Sequence, residues 1–188
     1  MIFKEKVVNL LKKNMTENGF KLWKGIDSLI SDIWDKPTSS TGKWHKKKNG
    51  KTPTNAEHTY HMLYTAVKIG RLFNINLNTS DFDKILISIV LHDSLKYGKH
   101  GNRKHTDREH DKNAADMVAE NKDVFLKIFT DQQFYIIEEA IRFHSGQWST
   151  DAKYEKPFSF SNYNPETLFI HILDMMSTAD LIQTDIRD

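Results

Sequence analysis

The chain has 188 residues, of which 28% are charged and 38% hydrophobic, with no cysteine and a formal net charge of +2. That length supports one domain with a sizeable core, and the lack of cysteine excludes disulfides and thiolate metal sites. The small net charge argues against general nucleic-acid binding, and no apolar run reaches the roughly 18 residues that a membrane span needs.

The start, Met1-Ile2-Phe3-Lys4-Glu5-Lys6, lacks the uninterrupted apolar core of a signal peptide. A cytoplasmic location is the expectation. Ile2, Phe3, Val7, Leu10 and Leu11 share one helical face, and Leu22, Ile26, Leu29, Ile30 and Ile33 predict a second amphipathic helix. Trp34-Asp35-Lys36-Pro37 ends it, because the residue before a proline avoids the α region. Residues 37–54 read as an extended loop punctuated by Pro37, Gly42, Gly50 and Pro53. Between Pro37 and Ala56 lie Lys43, Lys46, Lys47, Lys48, Lys51 and His45, with no acid.

A helix is expected from Asn55 to Phe73. Ser80, with Asp83 three residues on, predicts a capping box. It opens a helix containing Phe82, Ile85, Leu86, Ile89 and Val90, which is apolar around much of its circumference and therefore central. Residues 97–106 form a basic, glycine-containing loop. Helices are expected at about 107–120 and 131–144, and residues 145–163 form an aromatic-rich loop with Trp148, Tyr154, Phe158, Phe160 and Tyr163. Asn164-Pro165-Glu166 opens the last helix with a cap, a proline and an acid. No strand pattern occurs. The expected class is all-α: one domain over 1–188, with N-terminal helices at 1–36, the basic loop at 37–54 and a helical core at 55–188.

The residues that carry chemistry follow an order along this pattern: His58 and His61, then His92-Asp93 with Lys96, then His110, His144 and Asp174. Imidazole and carboxylate together suit divalent iron, manganese or zinc, and six such groups could hold two metals. A lone histidine on a helix is usually solvated or hydrogen-bonded. Two features weigh against that reading here. Asp93 and Asp174 sit among apolar neighbours, where a carboxylate costs several kcal/mol unless it is paired or metal-bound. The set is also spread over at least four helices, as a site inside a bundle requires.

Several segments resemble the HD-domain metallohydrolases. Ala56-Glu57-His58-Thr59-Tyr60-His61-Met62 is similar to the first-ligand segment of that family, and Leu91-His92-Asp93-Ser94-Leu95-Lys96 to its defining motif. His110-Asp111-Lys112-Asn113-Ala114-Ala115 and Arg142-Phe143-His144 resemble the third and fourth histidine segments of the two-metal branch. His171-Ile172-Leu173-Asp174-Met175-Met176-Ser177 resembles the closing aspartate segment. The resemblance runs over about residues 37–180 and implies a compact helical bundle of the HD type. It implies two divalent transition metals, iron, manganese or similar, with magnesium an option at one of them.

On that basis the expected metal ligands are His58, His92, Asp93, His110, His144 and Asp174. Either His58, which fits the local motif, or His61, which fits the spacing to the residues after it, can be the first ligand. His58 is preferred, leaving His61 for substrate. Asp174 is preferred over Asp180, which lies nearer the polar C-terminus. Asp93 and Lys96 are the expected catalytic groups, Asp93 bridging the metals or orienting water and Lys96 neutralising phosphate charge. The reaction implied is hydrolysis of a small phosphorylated substrate, a nucleotide or a relative of one, by water activated between two metals.

A similar proline-, serine- and lysine-bearing stretch precedes the first ligand in some HD proteins, among them 3′-to-5′ exoribonucleases. It makes Lys43 and His45 expected substrate contacts and leaves single-strand nuclease action on a nucleic-acid end as an alternative. A further alternative is a mixed-valence di-iron oxygenase, a chemistry that a few HD relatives perform with the same six residue types. A ligand sensor without catalysis fits less well, because a binding module need not keep all six. The sequence leaves the oligomeric state undetermined.

Overall fold

Four threonines set the starts of four helices. In the computed structural model, which describes residues 2–30, 33–39, 52–149 and 161–178, the side chains of Thr16, Thr54, Thr79 and Thr130 each accept a backbone N–H three residues on. Such a cap satisfies one of the unpaired N–H groups of a first turn. The described elements are α1 (Ile2–Asn14), α2 (Glu17–Ile26), α3 (Asn55–Leu72), α4 (Ser80–Leu91), α5 (His110–Glu120), α6 (Lys122–Phe125), α7 (Asp131–Arg142) and α8 (Pro165–Thr178). Short 3₁₀ turns follow α2 at Asp27–Leu29 and α7 at Gly146–Trp148. The fold is all-α; among the described residues the only bridge is an isolated antiparallel pair, Pro37 with Thr54.

The helix α4 is central, as its apolar circumference predicts. It packs on α2, α3, α7 and α8, and Leu86, Ile87, Ile89 and Leu91 are fully buried. In turn α7 bridges α4, α5 and α8, while α1 lies along α3. The amphipathic pattern of the second helix extends past its end: α2 stops at Ile26, and Ile30 and Ile33 enter the core from irregular chain. The expected capping box at Ser80 is replaced by a cap one residue earlier, Thr79.

Asp83 is thereby freed for another task. It is wholly buried, and its carboxylate accepts from the Thr16 backbone N–H at 3.0 Å and from the Thr16 hydroxyl. It therefore locks the N-terminus of α2 onto α4, where a negative charge is favoured by the helix dipole. Gly19 makes room for it, since a Cβ there would collide with the Asp83 carboxylate. In an open helix Gly→Ala gains about 1 kcal/mol. Here Gly19→Ala is expected to lose about 1–3 kcal/mol through overpacking, read as a lower urea midpoint.

Burial pushes the Asp83 carboxyl above its usual value, against the two Thr16 hydrogen bonds. The folded state thus holds this proton more tightly than the unfolded chain. The associated stability is full below the unfolded carboxylate value of about 4 and fades as pH rises through the folded value. Asp83→Asn should flatten that part of the pH–stability curve.

The two ends of the basic loop are held together. Thr38 N–H donates to Pro53 O at 2.9 Å, Asn55 N–H to Lys36 O at 2.8 Å and Ala56 N–H to Trp34 O at 3.0 Å. The Tyr97 hydroxyl donates to Pro37 O at 2.6 Å, which ties the segment after Lys96 to this stem. The stem therefore stands beside the N-terminus of α3. Lys43 and His45 lie outside the described residues. No helix among the described residues is long and apolar enough to cross a membrane.

Candidate metal centre

Three of the ligand-type histidines are oriented by the carbonyl three residues before them. The last four carbonyls of a helix lack intrahelical partners. His92, at the C-cap of α4, donates Nδ1–H to Ile89 O at 2.6 Å, and His144, two residues past α7, donates to Ile141 O at 2.8 Å. His110, the first residue of α5, donates to Asp107 O at 2.8 Å. His58 sits in the first turn of α3 and donates Nδ1–H to Ser177 Oγ at 2.8 Å. That hydroxyl in turn donates to Asp174 O at 2.7 Å. A carbonyl can only accept, so each of the first three rings carries a proton on Nδ1 and, as the neutral imidazole that a metal ligand must be, presents a lone pair at Nε2. For His58 the same tautomer follows from the serine relay.

These Nε2 atoms face one another in two pairs. His58 and His92 stand 3.2 Å apart, and His110 and His144 stand 3.3 Å apart. Lone pair facing lone pair repels unless a cation lies between or beside them. Asp93 lies between the pairs and divides its oxygens. Its Oδ2 is 3.8 Å from His58 Nε2 and 3.4 Å from His92 Nε2. Its Oδ1 is 3.2 Å from His110 Nε2 and 3.6 Å from His144 Nε2. Asp174 Oδ1 adds a carboxylate 3.1 Å from His58 Nε2. Two groups able to hold a metal result: His58, His92 and Asp93, and Asp93, His110 and His144.

The donor set fits a cation. Asp93 Oδ1 is buried and accepts no hydrogen bond, which would cost several kcal/mol without a positive partner. Burial alone would raise the Asp93 carboxyl; the Lys96 ammonium and the His92 imidazole outweigh it and hold the group well below the usual carboxylate range. Burial would raise Asp174 likewise, and the adjacent His58 ring, with His92 and His144 behind it, brings it down instead. Burial lowers His58 despite Asp174, which keeps that imidazole neutral as a ligand must be. At His144 burial pulls down, yet the Asp93 and Asp174 carboxylates prevail and raise it. A field that binds a proton this way also favours a metal ion.

The structure thus brings His58, His92, Asp93, His110, His144 and Asp174 together. Lys96 joins them through Asp93 Oδ2, at 2.5 Å. Its ammonium is buried and engaged with this carboxylate. His61 belongs to neither group; its ring meets Phe3 of α1 edge-on at 6.2 Å. Asp180 lies outside the described residues. Of the loop aromatics, Tyr163 packs on Phe143 at 4.8 Å, while Trp148 is 53% exposed and stands 6.5 Å from His171. Tyr154, Phe158 and Phe160 lie outside the described residues.

Three supporting residues escaped the sequence reading of roles. Ser177 fixes the His58 tautomer. His171 donates Nδ1–H to His144 O at 2.7 Å. Gly146 adopts φ +60°, and a Cβ there would strike the His171 imidazole. The available signal was helical spacing, since His171 and Ser177 flank Asp174 at three residues on either side.

A family profile described as HD domain matches residues 55–184. No curated protein and no solved structure matches the chain.

Proposed function

The chain belongs to the HD-domain family, whose members are mostly metal-dependent hydrolases, and from that premise we propose that it is a phosphohydrolase acting on a nucleotide or a related small phosphoester. The observation that carries the reading is the division of the Asp93 oxygens between two histidine pairs. His58, His92 and Asp174 would hold one divalent metal, His110 and His144 the other, with Asp93 shared. When bound, such a pair supplies a nucleophile from water at neutral pH and neutralises phosphoryl charge.

The chain's own residues do the rest. The bonds of Nδ1 to Ile89, Asp107, Ile141 and Ser177 hold the four rings in one tautomer and one orientation. Lys96 positions the Asp93 carboxylate and brings a positive charge to the buried site. Asp174, at 18% side-chain exposure, is the more open of the two carboxylates and marks the side from which substrate enters. In the overall step the water oxygen bonds to phosphorus and the ester or anhydride P–O bond breaks. The leaving oxygen takes up the proton that water gives up.

We assign Lys43 and His45 to phosphate recognition, because the stem of their loop is tied to Tyr97, next to Lys96, and to the cap of α3. A lysine recognises phosphate as a point charge.

The test is the purified chain loaded with manganese, or with iron under anaerobic conditions, against mononucleotides, dinucleotides, cyclic nucleotides and short RNA, with products identified by mass. Release of phosphate or of a nucleoside monophosphate supports the reading. Oxygen consumption without phosphate release would replace it by an oxygenase, and activity confined to RNA ends by a nuclease. On the substrate so found, Lys43→Ala and His45→Ala should each lower kcat/KM roughly tenfold, about 1.4 kcal/mol, at unchanged metal content. Kinetics equal to the parent for both would remove the loop from the site.

A further inference from the structure

A second place on the molecule concentrates charge without using it. The helices α1 and α3 run parallel. Near their starts Phe3 meets Tyr60 at 5.9 Å, and near their ends Arg71 donates to Asn14 Oδ1 at 3.0 Å. Between them opens a cavity of about 370 Å³, lined by Lys6, Lys13, Asn14, Tyr64, Lys68 and Arg71 among others, with no acidic residue in the lining. That volume falls in the range of small-molecule sites, about 300–1,000 Å³. None of the six metal-centre residues lines it.

Four cations face one cavity, and among the described residues none of them forms an ion pair with a carboxylate. Like charges so placed repel, and the overall net charge of +2 does not require the clustering. The helix dipole accounts for basic residues in last turns, hence for Lys13 and Arg71. It does not account for Lys6, in the first half of α1.

The site is also built. Asn14 is buried, donates Nδ2–H to Leu10 O at 2.8 Å and so aims its Oδ1 at the Arg71 guanidinium. Lys6 lies over the Tyr60 ring at 5.9 Å and Lys68 over the Tyr64 ring at 5.2 Å. These ring faces hold the cations at the walls, while Leu10 and Val67 contribute apolar surface.

We propose that the α1–α3 cleft is a binding site, separate from the metal centre, for a small molecule carrying at least two linked phosphates. Three lysines and one arginine match the charge of a di- or triphosphate. The arginine fork grips two oxygens at once and the lysines act as point charges. One wall of the cleft is α1, which precedes the matched residues 55–184. The site is therefore a property of this chain rather than of the family core.

The test uses the full chain carrying Asp93→Asn with Lys96→Met and stripped of metal by a chelator, so that neither a metal nor a stranded Lys96 ammonium draws phosphate to the metal centre. Sodium tripolyphosphate, ATP, AMP, sulfate and a short single-stranded oligonucleotide are titrated by calorimetry. Tripolyphosphate and ATP should bind at least tenfold more tightly than AMP or sulfate. Adding Lys13→Glu and Lys68→Glu should weaken both at least tenfold with unchanged circular dichroism. ATP tighter than tripolyphosphate identifies a nucleotide as the source, and equal affinities identify the bare oligophosphate; either supports the site. If the charge reversals unfold the chain, Lys13→Gln with Lys68→Gln gives the same comparison. Affinities untouched by these substitutions, AMP binding as tightly as ATP, or the oligonucleotide binding most tightly would each overturn the proposal.

Discussion

Asp93→Asn is expected to cut turnover at least a thousandfold, about 4 kcal/mol in activation free energy. The substitution keeps the shape of the side chain but removes the charge that both histidine pairs share. An amide offers one acceptor oxygen, so one pair loses its carboxylate outright. The change also strands the Lys96 ammonium, which is buried against Asp93. An unpaired buried charge destabilises by roughly 3–5 kcal/mol, and that loss could pass for a catalytic one. The double variant Asp93→Asn/Lys96→Met removes the stranded charge and separates the two. Its circular dichroism and melting temperature should stay near those of the parent while turnover and metal content fall. Full turnover at native metal content in either variant would sink the assignment of Asp93.

His110→Ala with His144→Ala should leave about half of the native metal, because only the second group loses its imidazoles. Hydrolysis should drop by a factor of roughly a hundred or more, about 2.7 kcal/mol, since a lone metal keeps only part of the clamp on the reacting oxygens. Elemental analysis of dialysed protein reads the first effect directly. Equal metal in parent and variant would make these histidines structural and favour a single-metal site at His58, His92, Asp93 and Asp174.

What could be read from the sequence follows the range of the interactions. Adjacent His92 and Asp93, ending an apolar helix, announced themselves. The burial of α4 was legible in its composition, and the opening of α8 in Asn164-Pro165-Glu166. His110 and His144 lie far apart in the chain; their order with the other candidates suggested them, and the family resemblance gave them their place as third and fourth histidines. Ser80 and Asp83 misled because their spacing imitates a capping box. Asp83 serves Thr16, 67 residues away, and no local pattern encodes such a bond. The second helix was read too long for a related reason. Ile30 and Ile33 are buried as a helix face would bury them, yet tertiary packing receives them from non-helical chain. His58 and His61, three residues apart, were both open to ligation. The packing of α1 engages His61 through Phe3, while Ser177 and Asp174 face His58.

The bonds that fix each Nδ1 bear on how the centre fills. Free imidazole side chains lose rotational freedom when they are captured, and a site assembled from loose rings must overcome that loss before a cation is held. Here His92, His110 and His144 are each tethered to a carbonyl of their own turn. The ordering of these three rings is thus local, while that of His58 waits on Ser177 of α8. Three of the four imidazoles therefore have little rotational freedom left to lose when a cation is held.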